Sequence, residues 1–310
     1  MISKVIPLWR HYIRTGFGIS NLYYGGELDP LAGTGQGNRF SGDVCRDTSC
    51  LILKEIENNN LGMNFESRIT QESIQVAAVS YVDDNDLVSD GSNVVDKMNR
   101  SVEIFDSLHE ATGGCVEESK SKVYAYQWLI RSDRKTICNN VSKIRMQGID
   151  LKQINCKQQE KTLGVMMGPA LIWDAQFVQM VNKMKDAIDA LKNTTIAIST
   201  ASMYYNMYLI KKVYYGGGIF SLNKWQETIL MNIYESVILT KMGLSVKFPR
   251  RVLYARKTAL GVGLMAPSTI MSMLALKLYL SHQRGETRIS KLININKENI
   301  RFYYGFSECH

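Results

Sequence analysis

Proline is scarce in this chain, at five in 310 residues, and several other residues that usually anchor a functional reading are either few or badly spaced. The four histidines, His11, His109, His282 and His310, lie far apart and form no ligand or triad pattern. The six cysteines, Cys45, Cys50, Cys115, Cys138, Cys156 and Cys309, include no C-x-x-C pair and no Cys/His group at zinc-ligand spacing. They read as reduced thiols of an intracellular protein, cytoplasmic or nuclear. Long apolar runs are missing as well. The charge-free stretch 193–210 carries Asn, Thr and Ser throughout, and 258–276 is broken by Gly261, Gly263 and Pro267, so neither reads as a membrane span. The first residues, MISKVIPLWRHYIR, hold no apolar core long enough for a signal peptide. There is no repeat and no low-complexity tract, and 45% hydrophobic with 21% charged residues is a globular balance.

Charge is present and unevenly distributed. The chain carries a net +8, but residues 1–90 hold seven Lys/Arg against twelve Asp/Glu, and residues 241–310 hold twelve against three. An acidic first part and a basic last part suit a protein that binds cations at one place and a polyanion along another. A solvated basic surface accounts for the second half of that pattern equally well.

The hydrophobic pattern changes character near residue 174. Before it, strand-like and helix-like pieces alternate. Val76–Val82 and Leu87–Val88 read as the arms of a hairpin, and Val94, Met98, Val102, Phe105 and Leu108 mark one face of a helix. Gly113 and Gly114 then stop that helix, and Lys122–Leu129 reads as a further strand. After residue 174 the pattern is helical. Phe177, Val181, Met184, Ile188 and Leu191 form one apolar stripe, and Trp225, Ile229, Ile233 and Val237 form a second. Pro267-Ser268-Thr269 opens a third helix over Ile270–Leu280. The expected class is α+β, with all three helical stripes in a core.

The hairpin and its turn fall within the stretch Ala77–Gly91, AAVSYVDDNDLVSDG. Adjacent carboxylates repel, and a turn gains nothing from Asp83, Asp84 and Asp86 together unless a cation shares them. Hard oxygen ligands of this kind select Mg²⁺, which one or two carboxylates hold together with phosphate oxygens. An EF-hand loop fits worse, because one beginning at Asp84 or at Asp86 needs a ligand where Val88 stands. Asp84-Asn85-Asp86 alone matches the D-x-D of nucleotide-sugar transferases, a reading that explains nothing else in the chain.

Tyr81-Val82-Asp83-Asp84 resembles the Y-x-D-D active-site box of reverse transcriptases, and three further stretches support that resemblance in the family's order and spacing. Gly33-Thr34-Gly35-Gln36-Gly37-Asn38-Arg39-Phe40-Ser41 resembles the G-x-x-Q-G-x-x-x-S box; as a dinucleotide motif it fails at Asn38. Thr112 to Ser121, TGGCVEESKS, is similar to the T-G-L-x-x-N-x-x-K-[ST] box, with Gly114 and Glu117 departing from Leu and Asn. Lys161-Thr162-Leu163-Gly164-Val165, followed by Trp173, resembles the primer-grip segment and the helix after it. The nearest type is the reverse transcriptase of retrotransposons lacking long terminal repeats. Lys241-Met242-Gly243, Phe248-Pro249-Arg250 and Gly261-Val262-Gly263-Leu264 resemble the thumb region more loosely.

The resemblance implies a partial polymerase palm with primer grip over 1–173, an antiparallel sheet with helices, and an all-helical thumb and C-terminal region over 174–310. It implies template-directed transfer of dNTPs onto a DNA primer on an RNA template, with two Mg²⁺ ions held by Asp83 and Asp84. Lys120 would protonate the departing pyrophosphate. Gly35, Gln36, Gly37 and Tyr81 would touch template and incoming nucleotide, Leu163 and Gly164 would sit at the primer end, and Lys247, Arg250, Arg251, Arg256 and Lys257 would track backbone phosphates. The family also uses an aspartate on an earlier strand. Only Asp29, in the turn-like Gly-Gly-Glu-Leu-Asp-Pro, is available before Gln36. The expectation is therefore the C-terminal part of a polymerase with an incomplete metal site, whose partner would be the missing N-terminal portion. The other expectation is an inactive polymerase remnant that binds nucleic acid.

Overall fold

The computed structural model describes residues 11–15, 18–24, 41–81, 84–112, 116–131, 134–283 and 285–305. Within them the protein is mixed α+β, with strands that pair only two at a time. The elements are β1 (His11–Thr15), β2 (Gly18–Tyr24), α1 (Ser41–Asn58), β3 (Met63–Glu66), β4 (Ser73–Val76), β5 (Ala78–Tyr81), β6 (Asp84–Leu87) and α2 (Val94–Ala111). Then follow β7 (Lys122–Tyr124), β8 (Tyr126–Arg131), β9 (Arg134–Asn139), β10 (Arg145–Met146), β11 (Ile149–Asp150), β12 (Lys152–Ile154), β13 (Glu160–Thr162) and β14 (Val165–Met167). The rest is helical: α3 (Asp174–Lys192), α4 (Ile198–Met203), a π-helical stretch Tyr204–Leu209, α5 (Ile210–Val213), α6 (Lys224–Lys241), α7 (Arg250–Tyr254), α8 (Pro267–Gln283) and α9 (Arg288–Tyr304). The β1–β2, β3–β4, β5–β6, β10–β11 and β13–β14 pairs are antiparallel, β7 and β12 are parallel, and β8 pairs with β9. Two compact units result, one of Met1–Trp128, Cys138–Asn155 and Glu298–His310, the other of Leu129–Ile137 and Cys156–Lys297.

In the first unit α2 follows the expected stripe, and that stripe feeds two small clusters. Phe105 packs with Ile52 and Ile56 of α1, Leu61 and the fully enclosed Ala77, while Val102, one turn away, packs with Ile144 and Met146. The β3–β4 turn is tied to the end of the chain. Ser67 and Thr70 donate their hydroxyls to the Glu298 carboxylate, the Arg68 amide donates to Asn299 Oδ1 at 2.9 Å, and Asn299 Nδ2 donates to the Glu66 carbonyl at 2.9 Å.

The second unit has one large core. On α3 the buried positions are Gln176, Met180, Met184, Ala187, Ile188 and Leu191, close to the expected stripe. On α6 the stripe is rotated by about one residue from the expected phase. Leu230, Tyr234, Ile238 and Leu239 are buried, while Trp225 is 66% exposed. The phase shift has a polar cause. Glu235 is only 3% exposed because the Arg250 guanidinium meets it at 2.6 Å and the Tyr254 hydroxyl donates to it at 2.5 Å, with the Tyr234 hydroxyl 2.6 Å from that of Tyr254. A satisfied carboxylate and two tyrosines thus occupy positions that a pattern of apolar residues passes over. At the start of α6, Asn223 and Gln226 form a reciprocal capping box. On α8 only Pro267, Ile270 and Met271 are buried, and Met273, Leu276 and Leu280 stand exposed, so the third stripe enters the core by its first turn alone.

Candidate functional site

Two hairpins carry the residues of interest, one in each unit. In the first, Tyr81 pairs with Asp84 and Val79 with Asp86, and the Val88 amide extends the ladder to the Ala77 carbonyl at 2.8 Å. Opposite residues of an antiparallel pair share a face. Val79, Tyr81, Asp84 and Asp86 are all exposed on one side, and Ala78, Ser80, Asn85 and Leu87 line the other. Asp84 therefore opens β6, facing solvent beside the phenol ring that closes β5. The Asp86 carboxyl is held above the usual carboxylate range, first by partial desolvation and then by the neighbouring charge of Asp84. A divalent cation would relieve that repulsion, and two anionic oxygen donors on one exposed face fit Mg²⁺ by chemistry. Asp83 lies outside the described residues, as do Val82, Asp29, Gly35, Gln36 and Gly37. Among the described residues no three His, Cys, Asp or Glu side chains converge as a metal group.

Lys120 sits in a surface turn ahead of β7. Its ammonium is 3.8 Å from the carboxylate of Glu117, to which Ser119 also donates at 2.5 Å. Glu117, where the resembled box has Asn, thus supplies the lysine with a local partner.

The second hairpin is β13–β14, with Thr162 opposite Val165 and Leu163-Gly164 at its tip. Both tip residues have positive φ, 49° and 87°, as a type I′ turn requires. Leu163 pays for that conformation with backbone strain, whereas Gly164 adopts it freely. The hairpin is held from behind by Gln176, fully buried, whose Oε1 accepts from the Met166 amide at 2.8 Å.

Three lysines from three elements share one electrostatic neighbourhood. Lys161 of β13 and Lys212 of α5 both act on Lys183 of α3, whose ammonium is held below the usual lysine range by partial burial first, then by Lys161 and Lys212. Lys183 donates to Gln179 at 3.2 Å, and Lys212 lies 5.6 Å above the centroid of Tyr208, itself 5.1 Å from the ring of Tyr204. No carboxylate of the described residues is within ion-pair reach of the three. The sequence pattern gave no signal for this group, because its members come from segments 161, 183 and 212 and only the fold unites them.

The five basic residues expected along the thumb separate. Lys247, Arg251, Arg256 and Lys257 are exposed. Arg250 turns inward instead, donating to the carbonyls of Val246 and Phe248 at 2.8 and 2.9 Å and pairing with Glu235. No helix of the described residues is long and apolar enough to cross a membrane. No protein-family model matches the chain, and no curated protein matches it.

Proposed function

We propose that the chain is the C-terminal part of an RNA-directed DNA polymerase of the kind encoded by retrotransposons lacking long terminal repeats. The observation that carries this reading is the position of the Y-x-D-D box, with Tyr81 ending one strand and Asp84 opening its antiparallel partner. Asp83 and Asp84 would hold Mg²⁺, with Asp86 beside them. Bound there, the metal supplies charge stabilisation to the attacking 3′-hydroxyl oxygen and to the departing pyrophosphate. The remaining roles belong to the chain. The Leu163-Gly164 tip supports the primer end, and Lys161, Lys183 and Lys212 add a polyanion surface to Lys247, Arg251, Arg256 and Lys257. Arg250 is withdrawn from that surface by Glu235. Two features support nucleic acid as the partner: the charges of Lys161 and Lys212 acting on Lys183, and the Tyr208 ring beneath Lys212.

The test is primer extension on an RNA template with dNTPs and Mg²⁺. It compares the chain, its Asp83→Asn variant, and a longer polypeptide that adds in-frame sequence encoded upstream. Incorporation by the longer polypeptide that Asp83→Asn abolishes is the expected result. Folded proteins that bind the hybrid and incorporate nothing would replace the polymerase reading with that of an inactive remnant.

A further inference from the structure

The β13–β14 tip is gripped from outside by a segment that none of the four boxes includes, Tyr214-Tyr215-Gly216-Gly217-Gly218. Tyr214 is buried at 1% exposure and anchors the segment in the core of the second unit. Tyr215 follows it at the surface, 53% exposed, with its ring edge turned onto the hairpin tip. Its Cε1 lies 3.1 Å from where a Cβ of Gly164 would stand, so the ring closes one side of the tip. Gly216, at φ +80°, comes so close to β14 that a Cβ on it would be 2.5 Å from Cγ2 of Val165. Hydrogen bonds from the Gly217 amide to the Tyr214 carbonyl, 2.9 Å, and from the Ile219 amide to the Gly216 carbonyl, 3.0 Å, fold the segment into a tight double turn. Its far side is also filled. Side chains on Gly217 and Gly218 would meet Leu274 Cδ1 at 3.3 Å and the Leu274 carbonyl oxygen at 3.1 Å. The three glycines thus fill the space between β14 and α8 with backbone alone, which any side chain would force apart.

We propose that Tyr215 and Gly216 are positioning residues for the β13–β14 tip: the Tyr215 ring against Gly164 and the bare Gly216 against Val165 fix where Leu163 and Gly164 stand. The tip by itself is a three-residue ladder on each side of a strained turn, too short to hold one position unaided. Its placement therefore comes from the surface it rests on. The functional consequence rests on the polymerase reading, in which this tip supports the primer end.

Hydrogen exchange on the full chain tests the positioning. Tyr215→Ala is expected to speed exchange of the amides in 160–167 by about tenfold while exchange across 224–241 stays as in the wild type, and Tyr215→Phe is expected to keep wild-type protection. Unchanged exchange in 160–167, or equal acceleration throughout the second unit, would overturn the proposal. Gly216→Ala is a second probe and is expected to speed the same amides even with Tyr215 intact. The polymerase reading is tested separately with the extending polypeptide, where Tyr215→Ala is expected to raise KM for the primer by about tenfold with little change in kcat. Faster exchange with unaltered primer KM would leave Tyr215 as the tip's support and remove the primer from the tip.

Discussion

The β5–β6 and β13–β14 hairpins are both short antiparallel pairs joined by two residues, and they are held in opposite ways. The first places like charges on one exposed face and gains no stability from them, since Asp84 presses on Asp86. The second carries no carboxylate at its tip. It is supported from three sides, by Gln176 behind, Tyr215 beside and Val165 seated against Gly216. Charge placed where it costs stability is there for what it meets, whereas packing that exceeds what a turn needs is there for where it puts that turn. The first hairpin is chemically loaded, and the second is chemically plain and firmly braced.

Five substitutions would break or sharpen that contrast. The largest effect is expected at the charged tip, where Asp83→Asn or Asp84→Asn lowers primer extension by the longer polypeptide by roughly 10³-fold. Their melting temperatures should stay at or above the wild-type value, and a variant that loses activity only by unfolding would erase the contrast. Next, Gly164→Val forces a β-branched residue to positive φ beneath the Tyr215 ring, and urea unfolding of the second unit should show a loss of roughly 1–3 kcal/mol. A smaller change is expected for Lys183→Gln. The dependence of hybrid affinity on salt should become shallower by about 0.7 to 0.9 in log–log slope, one phosphate contact's worth.

The smallest effect concerns pH. The folded-state pKa of Asp86 is raised, so the folded protein binds its proton more tightly than the unfolded chain, and the resulting penalty is complete only above the folded pKa. Asp86→Asn should therefore melt higher than the wild type at neutral pH, with the difference shrinking as pH falls through that pKa. Mg²⁺ should raise the wild-type melting temperature and raise that of Asp84→Asn less. Glu298 has the opposite sign. The hydroxyls of Ser67 and Thr70 hold it below the usual range, so its stabilisation is present above the unfolded-state pKa and is lost on acidification through its folded pKa.

Much of this arrangement was legible from residue order. The α2 and α3 stripes emerged with their buried faces nearly as expected, because an apolar residue every three or four positions is a local signal. The hairpin was legible in part: its arms were expected over Val76–Val82 and Leu87–Val88, whereas Val76 belongs to β4 and the second arm already begins at Asp84. The phase of α6 was not, since Glu235 is buried by partners at 250 and 254 that periodicity does not register. The lysine trio and the Tyr215 support were hidden because both are long-range assemblies. The inward turn of Arg250 was hidden too: an arginine beside another arginine in a basic segment looks like surface until its carboxylate is found.

The bonds between Glu298 or Asn299 and the β3–β4 turn span 228 to 233 residues of sequence. On a ribosome adding about 5–20 residues per second, that turn emerges roughly 12–46 s before the side chains that clamp it. The unit whose strands are synthesised early is therefore among the last parts to be completed. A stop codon ahead of Glu298 would spare every residue of both hairpins and still leave the older end of the molecule unfinished.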